Sequence, residues 1–280
     1  MQEPPTVASL LSYGSLLESS STTARLDVEI LIAHALGRQR AYLYAHREDS
    51  VDASLADLAC QLIDRRAAGE PIAYILGRRE FWSLPLEVDD SVLIPRPETE
   101  LLVEKALERL PPGQARLLDL GTGSGAIALA VASERSDIEV LATDQSSKAL
   151  RVAHRNRERL KLSNVNFLES DWFSGIDAQR FNMIVSNPPY VAPNDRCLGN
   201  GDLRFEPVSA LVAEDDGYAA LDRLVSEACD YLSVGGWLLL EHGESQGQRV
   251  RDMMNQCGYA ETETLVDFAG HDRVSIGKRR

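Results

Sequence analysis

Residues 119–125 read Asp-Leu-Gly-Thr-Gly-Ser-Gly, between an apolar run, Arg116–Leu120, and a helix-patterned stretch, Ala126–Ser133. Glycine at every second position lets the backbone turn tightly and lets a ligand approach with no side chain in the way. The helix that follows offers unpaired N–H donors at its first turn. Asp144 stands about 20 residues beyond the loop, at the end of the next strand-like run, where a carboxylate accepts hydrogen bonds from ribose hydroxyls. The combination predicts a site for a nucleoside-bearing cofactor. With Ala126 the stretch also fits G-x-G-x-x-A, the dinucleotide fingerprint. The loop alone leaves S-adenosylmethionine and a nicotinamide cofactor both open.

The rest of the second half fits an α/β fold. Strand-like runs occur at Arg116–Leu120, Glu139–Thr143, Val165–Leu168, Phe181–Ser186, Trp237–Glu241 and Arg273–Gly277. Helical stretches lie at Ala126–Ser133, Ser147–Leu160 and Tyr218–Leu232. Met183, Ile184 and Val185 are consecutive apolar residues, as in a strand buried on both faces. Such alternation predicts a mostly parallel sheet with helices on both sides.

The first 71 residues read as helices only. Ser21–Thr23 is a polar cluster suited to a helix start. Leu26, Ile30, Ala33 and Leu36 follow at helical spacing, and Gly37 sits at a C-cap position. A second helix, Asp52–Ala68, carries Leu55, Leu58, Leu62 and Ile63 as its stripe. Residues 72–95 change character. Tyr74, Ile75, Leu76, Phe81, Trp82, Leu84, Leu86 and Val88 are strand formers, with turn signals at Gly77 and Asp89-Asp90-Ser91. They predict a hairpin linker. A helix over Thr99–Leu110 then opens a third region, 96–280, and Pro111-Pro112-Gly113 ends that helix.

Asn187-Pro188-Pro189-Tyr190 follows the fourth strand of the α/β region directly. Two prolines stiffen the backbone and remove two donors. The Asn187 side chain and the Pro188 carbonyl then offer two acceptors at the crevice beyond the strand ends. Tyr190 adds a flat face for stacking. The tetrapeptide predicts a seat for a planar –NH2 nitrogen.

D-x-G-x-G-x-G with N-P-P-Y resembles the S-adenosylmethionine-dependent amino-methyltransferases. Further stretches resemble the release factor glutamine methyltransferase family (PrmC/HemK type). These are Gly69–Gly77, Glu80-Phe81-Trp82, Leu93–Glu100, Ser170–Phe173, Arg204-Phe205-Glu206-Pro207 and Leu239–Gly243. The resemblance covers nearly the whole chain and is weakest over about the first 25 residues. It implies a Rossmann-like class I methyltransferase with a seven-stranded, mostly parallel sheet, preceded by a small helical substrate-docking domain and the hairpin. It also implies N5-methylation of the glutamine in the Gly-Gly-Gln motif of class I peptide chain release factors. Carried over by position, Gly121, Thr122, Gly123, Ser124 and Gly125 hold the methionine end of S-adenosylmethionine. Asp144 holds the ribose, and Asp171 with Trp172 borders the adenine. Asn187, Pro188, Pro189 and Tyr190 hold the substrate, with Asn187, Pro188 and Tyr190 at the chemistry and Asn187 also near the methyl donor.

Other features constrain partners. Lys plus Arg is 29 against 43 for Asp plus Glu, a net charge of −14, which argues against a nucleic acid binding across the whole surface. An N6-adenine methyltransferase, which uses the same tetrapeptide on a flipped base, predicts a basic face or a DNA-reading module instead. A dehydrogenase gives N-P-P-Y no role, and an idle binding module would not need it. Apolar runs fall far short of the roughly 20 residues of a membrane span. The start, MQEPPTVASL, has an acid and two prolines where a signal peptide has basic residues. Cys60, Cys197, Cys229 and Cys257 lack zinc or disulfide spacing and read as reduced thiols of a cytosolic protein. The histidines lack metal-ligand spacing, so no metal is expected. Arg151, His154, Arg155, Arg157, Arg159 and Lys161 read as a solvated helix face rather than a docking patch. His242 reads as structural and Cys197 as incidental. Arg96 and Glu98 fit either a loop at the cofactor mouth or a helix-capping turn.

Overall fold

The computed structural model describes residues 4–18 and 21–280. Part of the N-terminal MQEPPTVASL reading, at residues 1–3, lies outside them. Two compact units emerge. The first joins residues 1–77 to a distant segment, Arg196–Phe205; the second comprises Arg78–Asp195 and Glu206–Arg280.

The first unit contains α1 (Val7–Leu11), α2 (Ala24–Ala35), α3 (Arg40–Ala45), α4 (Ala53–Ala67) and α5 (Ile72–Leu76). Its core gathers Val28, Leu31, Ile32, Leu43, Ala59, Leu62 and Ile63. Both helical stripes match the sequence expectation only in part: Ala33, Leu62 and Ile63 are buried, while Ile30 and Leu36 are half-buried. On α2 Val28, Leu31, Ile32 and Ala35 are buried as well, whereas Leu26 is exposed; on α4, Leu55 and Leu58 are exposed while Ala56 and Ala59 face inward. The reason on α2 is that two acids go inside. Asp27 accepts from Arg66 Nε at 2.8 Å, Ser21 at 2.7 Å and Thr23 at 2.9 Å. Glu29 accepts from Arg25, Arg40 and Tyr44. Buried charge is tolerated when so paired. Ser21 and Thr23 therefore donate to Asp27 instead of capping the helix, which has no side-chain cap. Arg66 also reaches Asp202 of the distant segment at 2.9 Å, and Arg204 donates to the Ala68 carbonyl at 2.8 Å.

Residues 72–76 form a helix, not a strand, and Gly77 caps it at φ 67°. The hairpin is shorter than its expected span: β1 (Arg78–Phe81) pairs antiparallel with β2 (Leu84–Glu87). Its turn is Trp82-Ser83, both at positive φ (52° and 58°). Two-residue hairpins demand that geometry and normally use Asn-Gly. Here side-chain bonds hold it: Trp82 donates from its backbone N–H to Glu100 and from its indole to Glu134, both at 2.9 Å.

The second unit continues with α6 (Glu100–Arg109), β3 (Arg116–Leu120), α7 (Ala126–Glu134), β4 (Glu139–Asp144), α8 (Ser147–Leu160), β5 (Val165–Glu169) and β6 (Phe181–Ser186). Then come the short α9 (Val208–Leu211), the kinked turn α10 (Glu214–Gly217), α11 (Ala219–Ala228), β7 (Leu232–Glu241), α12 (Gly247–Gln256), β8 (Ala260–Val266) and β9 (Asp272–Lys278). The seven-stranded sheet has the order β5-β4-β3-β6-β7-β9-β8. All neighbours are parallel except β9, which runs antiparallel to β7 and β8. Alternate residues part to opposite faces: Leu117 packs among Leu102, Val103 and Leu129, and Leu118 among Leu221 and Leu224. Three elements depart from the sequence reading. α11 stops at Ala228, so that Leu232 already belongs to β7; α12 and β8 carried no strong signal. β8 alternates half-buried with exposed residues at the sheet edge, where little apolar pattern is required.

The chain runs from β3 outward through β4 and β5, then returns to place β6 on the other side of β3. That reversal is the switch point at which open α/β sheets bind ligands. It sets the glycine loop after β3 beside the tetrapeptide after β6.

Candidate functional site

Leu120 and Ser186 are register partners at the ends of β3 and β6. Residues 66 positions apart in sequence thus start two loops one strand spacing apart. The cleft between them lies wholly within the second unit. Gly121, Thr122, Gly123, Ser124, Asp144, Asp171, Trp172, Asn187 and Pro189 all line it. Of the expected site residues, Gly125, Pro188 and Tyr190 do not.

Gly125 acts behind the loop. It caps α7 in the left-handed region at φ 85°, and a Cβ there would stand 2.9 Å from Leu129 and 3.3 Å from Ala153. The third glycine therefore permits close helix packing. Gly121, at φ 72°, faces the Trp172 ring, whose nearest carbon would be 3.4 Å from an added Cβ. Asp144 is mostly buried and receives Gly123 N–H on one oxygen at 2.9 Å and Ser146 N–H on the other at 2.8 Å. Burial raises its pKa against those two bonds. Each oxygen retains acceptor capacity toward the cleft. Loop glycines, an acid with spare lone pairs and apolar walls from Val92, Leu93, Ile127 and Ala149 fit a nucleoside cofactor such as S-adenosylmethionine.

Asp119, the first residue of the glycine motif, has a structural part that the sequence reading did not assign. It is fully buried and accepts from the Thr122 hydroxyl at 2.7 Å and from Ala128 N–H at 3.2 Å. Its other oxygen has no partner among the described residues, and burial pushes its pKa up to about 7. Buried Asn156 ties the loop to the hairpin, donating to the carbonyls of Ser124 and Glu87 at 2.9 and 3.0 Å.

Asn187 donates from Nδ2 to the Thr99 hydroxyl at 3.2 Å. That fixes which end of its amide is engaged and leaves Oδ1 unclaimed at the cleft wall. Tyr190 turns its hydroxyl to Glu241 at 3.4 Å, and burial, ahead of the Glu241 charge, raises its pKa further above the phenolic range. The Tyr190 carbonyl accepts from Gln246 at 3.2 Å. Thr99 and Glu241 stood inside the motif stretches of the sequence, but only their packing shows which site residues they serve.

The discounted features resolve individually. Arg155 pairs with Glu87 at 2.8 Å and Asp89 at 3.1 Å, and Arg159 also pairs with Glu87, so two of the run's arginines are engaged toward the hairpin and its following turn. His242 is fully buried; its ring nitrogens sit 2.8 Å from the Gly243 carbonyl and 2.9 Å from the Ser275 hydroxyl. Arg96 lines the cleft and ion-pairs with buried Glu206, which also takes Ile94 N–H at 3.0 Å. Glu98 is exposed in the single 3-10 turn, Pro97–Thr99, before α6. Asp171 lines the cleft and accepts on both oxygens from Arg223 Nη1, each at 3.0 Å. No helix among the described residues is long and apolar enough to cross a membrane.

Comparison with known proteins places the chain among relatives over nearly its whole length. Residues 97–198 match the methyltransferase small domain and residues 10–77 the PrmC N-terminal domain. The release factor glutamine methyltransferase of Salmonella typhimurium is 50% identical over 92% of this chain and 93% of its own. That of Escherichia coli is 49% identical over 92% and 94%, and that of Shewanella oneidensis 45% over 99% and 98%. Among solved structures, a methyltransferase from Pyrococcus furiosus shares the fold with a TM-score of 0.54 at 24% identity, covering 70% of this chain and 89% of that one. A T. thermophilus 16S rRNA methyltransferase in complex with AdoMet and guanosine does so with a TM-score of 0.55 at 22% identity, covering 72% and 50%.

Proposed function

The chain belongs to the release factor glutamine methyltransferase family, and on that premise we propose that it methylates the side-chain nitrogen of the glutamine in the Gly-Gly-Gln motif of a class I peptide chain release factor. The supporting observation is the Asn187 amide. Its donor end is occupied by Thr99, and its acceptor end is left for an incoming N–H beside the glycine loop.

S-adenosylmethionine is the methyl donor in this reading. Gly121, Thr122, Gly123 and Ser124 hold its methionine end, with Gly125 packing the helix behind them; Asp144 holds its ribose hydroxyls, and Trp172 with Asp171 the edge of its adenine. When bound, it supplies an electrophilic sulfonium methyl carbon. A glutamine amide nitrogen is a weak nucleophile because its lone pair is delocalised into the carbonyl. Asn187 Oδ1 and the Pro188 carbonyl accept its two N–H groups, which raises electron density on nitrogen and holds it in line. Pro189 on the cleft wall, backed by Tyr190 next in the chain, confines the planar amide. Positioning and fixed dipoles then carry most of the rate. Tyr190 is no base, since its proton is held more tightly than in a free phenol. The extra proton leaves after transfer, when the nitrogen has become acidic.

The first compact unit docks the protein substrate, because the cleft is built without it. The cytoplasm, where release factors work, is the compartment this function requires. The test is transfer of labelled methyl from S-adenosylmethionine to a purified class I release factor, beside a variant with the Gly-Gly-Gln glutamine replaced. Label on the first and none on the second is the expected result. Label on neither, with label on DNA or RNA, would favour the adenine reading.

A further inference from the structure

Glu241 ends β7 with its residue 1% exposed. Oε1 faces the Tyr190 hydroxyl at 3.4 Å. Oε2 has no hydrogen-bond partner among the described residues. The Thr99 hydroxyl stands beside the carboxyl and favours its charged form. Thr99 in turn receives Asn187 Nδ2. A hydroxyl has one proton. When Thr99 points it at Glu241, its oxygen must accept, and Asn187 must present its –NH2 there and its carbonyl oxygen to the cleft. Tyr190 points its proton at the same carboxylate. One buried acid thus reaches both ends of the tetrapeptide.

Resting on the methyl-transfer reading above, we propose that Glu241, acting through Thr99 and Tyr190, is a positioning residue that sets the Asn187 amide to accept from the substrate glutamine. Glu241 touches neither reacting atom. The role calls for an acceptor with no donor, which only the ionised acid supplies. A protonated Glu241 carries an O–H that competes with the Thr99 and Tyr190 hydroxyls, and the Asn187 amide loses its fixed sense.

The groups facing Glu241 are Thr99, Tyr190, Arg273 on β9 and Glu98; Arg96 and Arg273 also face Tyr190. Burial lifts the Glu241 pKa to about 7, against Thr99 and Arg273, which favour its charge, while Glu98 opposes it. Turnover should therefore rise with pH as Glu241 ionises near neutrality.

The experiment compares wild type, E241Q, T99V and T99S in methyl transfer to the release factor from pH 5.5 to 9. Binding of S-adenosylmethionine is measured alongside by calorimetry. E241Q should lose about 100-fold in kcat, the cost of a slightly misplaced reactant, with cofactor affinity within about threefold. Its profile should lack the acid limb. T99V should match that loss and T99S should restore activity. In the ligand-free protein the Asn187 side-chain 15N resonance should titrate near pH 7 in wild type and not in E241Q. An E241Q enzyme with wild-type turnover and pH profile would overturn the proposal. So would losses of turnover and cofactor affinity in equal measure. If E241Q does not fold, the T99V and T99S pair decides in the same terms. A wild type that labels no release factor removes the functional reading and this proposal with it.

Discussion

Ser186 Oγ donates to the Leu120 carbonyl at 2.7 Å in the fully buried centre of the sheet. The bond joins the last residues of β3 and β6, from which the two site loops depart. Ser186→Ala should cost about 1 kcal/mol of stability, the usual net worth of one hydrogen bond. Denaturant unfolding checks this. Turnover should fall with cofactor affinity nearly unchanged, because only the relation of the two loops is loosened.

Asn187→Ala should lower kcat by about two to three orders of magnitude, as when one oriented polar group is removed from a transition state. Cofactor affinity should fall only modestly. Single-turnover transfer with parallel calorimetry separates the two. Equal loss of both would mean that Asn187 serves the cofactor and not the acceptor nitrogen.

Asp119 gives a pH prediction whose sign is fixed. Burial raises its pKa from 3.8 to about 7 in the folded chain. The folded state thus binds a proton that the unfolded state has released, so this residue's contribution is fully present below pH 4 and is lost as pH rises toward 7. Asp119→Asn should remove that fall. Comparing wild type with the variant at pH 5 and pH 7.5 isolates it from carboxylates of opposite sign, such as Glu87, whose pKa its arginine partners lower.

Ser83 occupies the left-handed region at φ 58° in the hairpin turn. Ser83→Gly removes that strain and should raise stability by up to about 1 kcal/mol. Trp82, with two side-chain acceptors at this turn, should not tolerate the same change. Thermal midpoints of the two single variants test the contrast.

Most of the sheet and both loops were legible in the sequence because they rest on local rules. Apolar strands such as Met183–Val185 need burial on both faces, and the glycine loop needs positive φ. The α2 stripe was partly misplaced because the acids Asp27 and Glu29 lie inside, paired with arginines and hydroxyls. Residues 72–76 are rich in strand formers yet form a helix, with Gly77 as its left-handed cap. The hairpin turn was missed because Trp-Ser is not a turn dipeptide, and Glu100 and Glu134 hold it from elsewhere. Thr99 and Glu241 were visible as letters in motifs. Their relation to Asn187 and Tyr190 exists only once β6, β7 and the start of α6 are assembled.

Arg66 and Asp202, 136 positions apart, share one ion pair. The first compact unit is therefore not a continuous stretch of gene. A chimera that exchanged only residues 1–77 with a distant relative would leave Asp202 and Arg204 facing foreign partners. Keeping this unit intact therefore means carrying both segments together, so that Arg66 retains Asp202 as its partner.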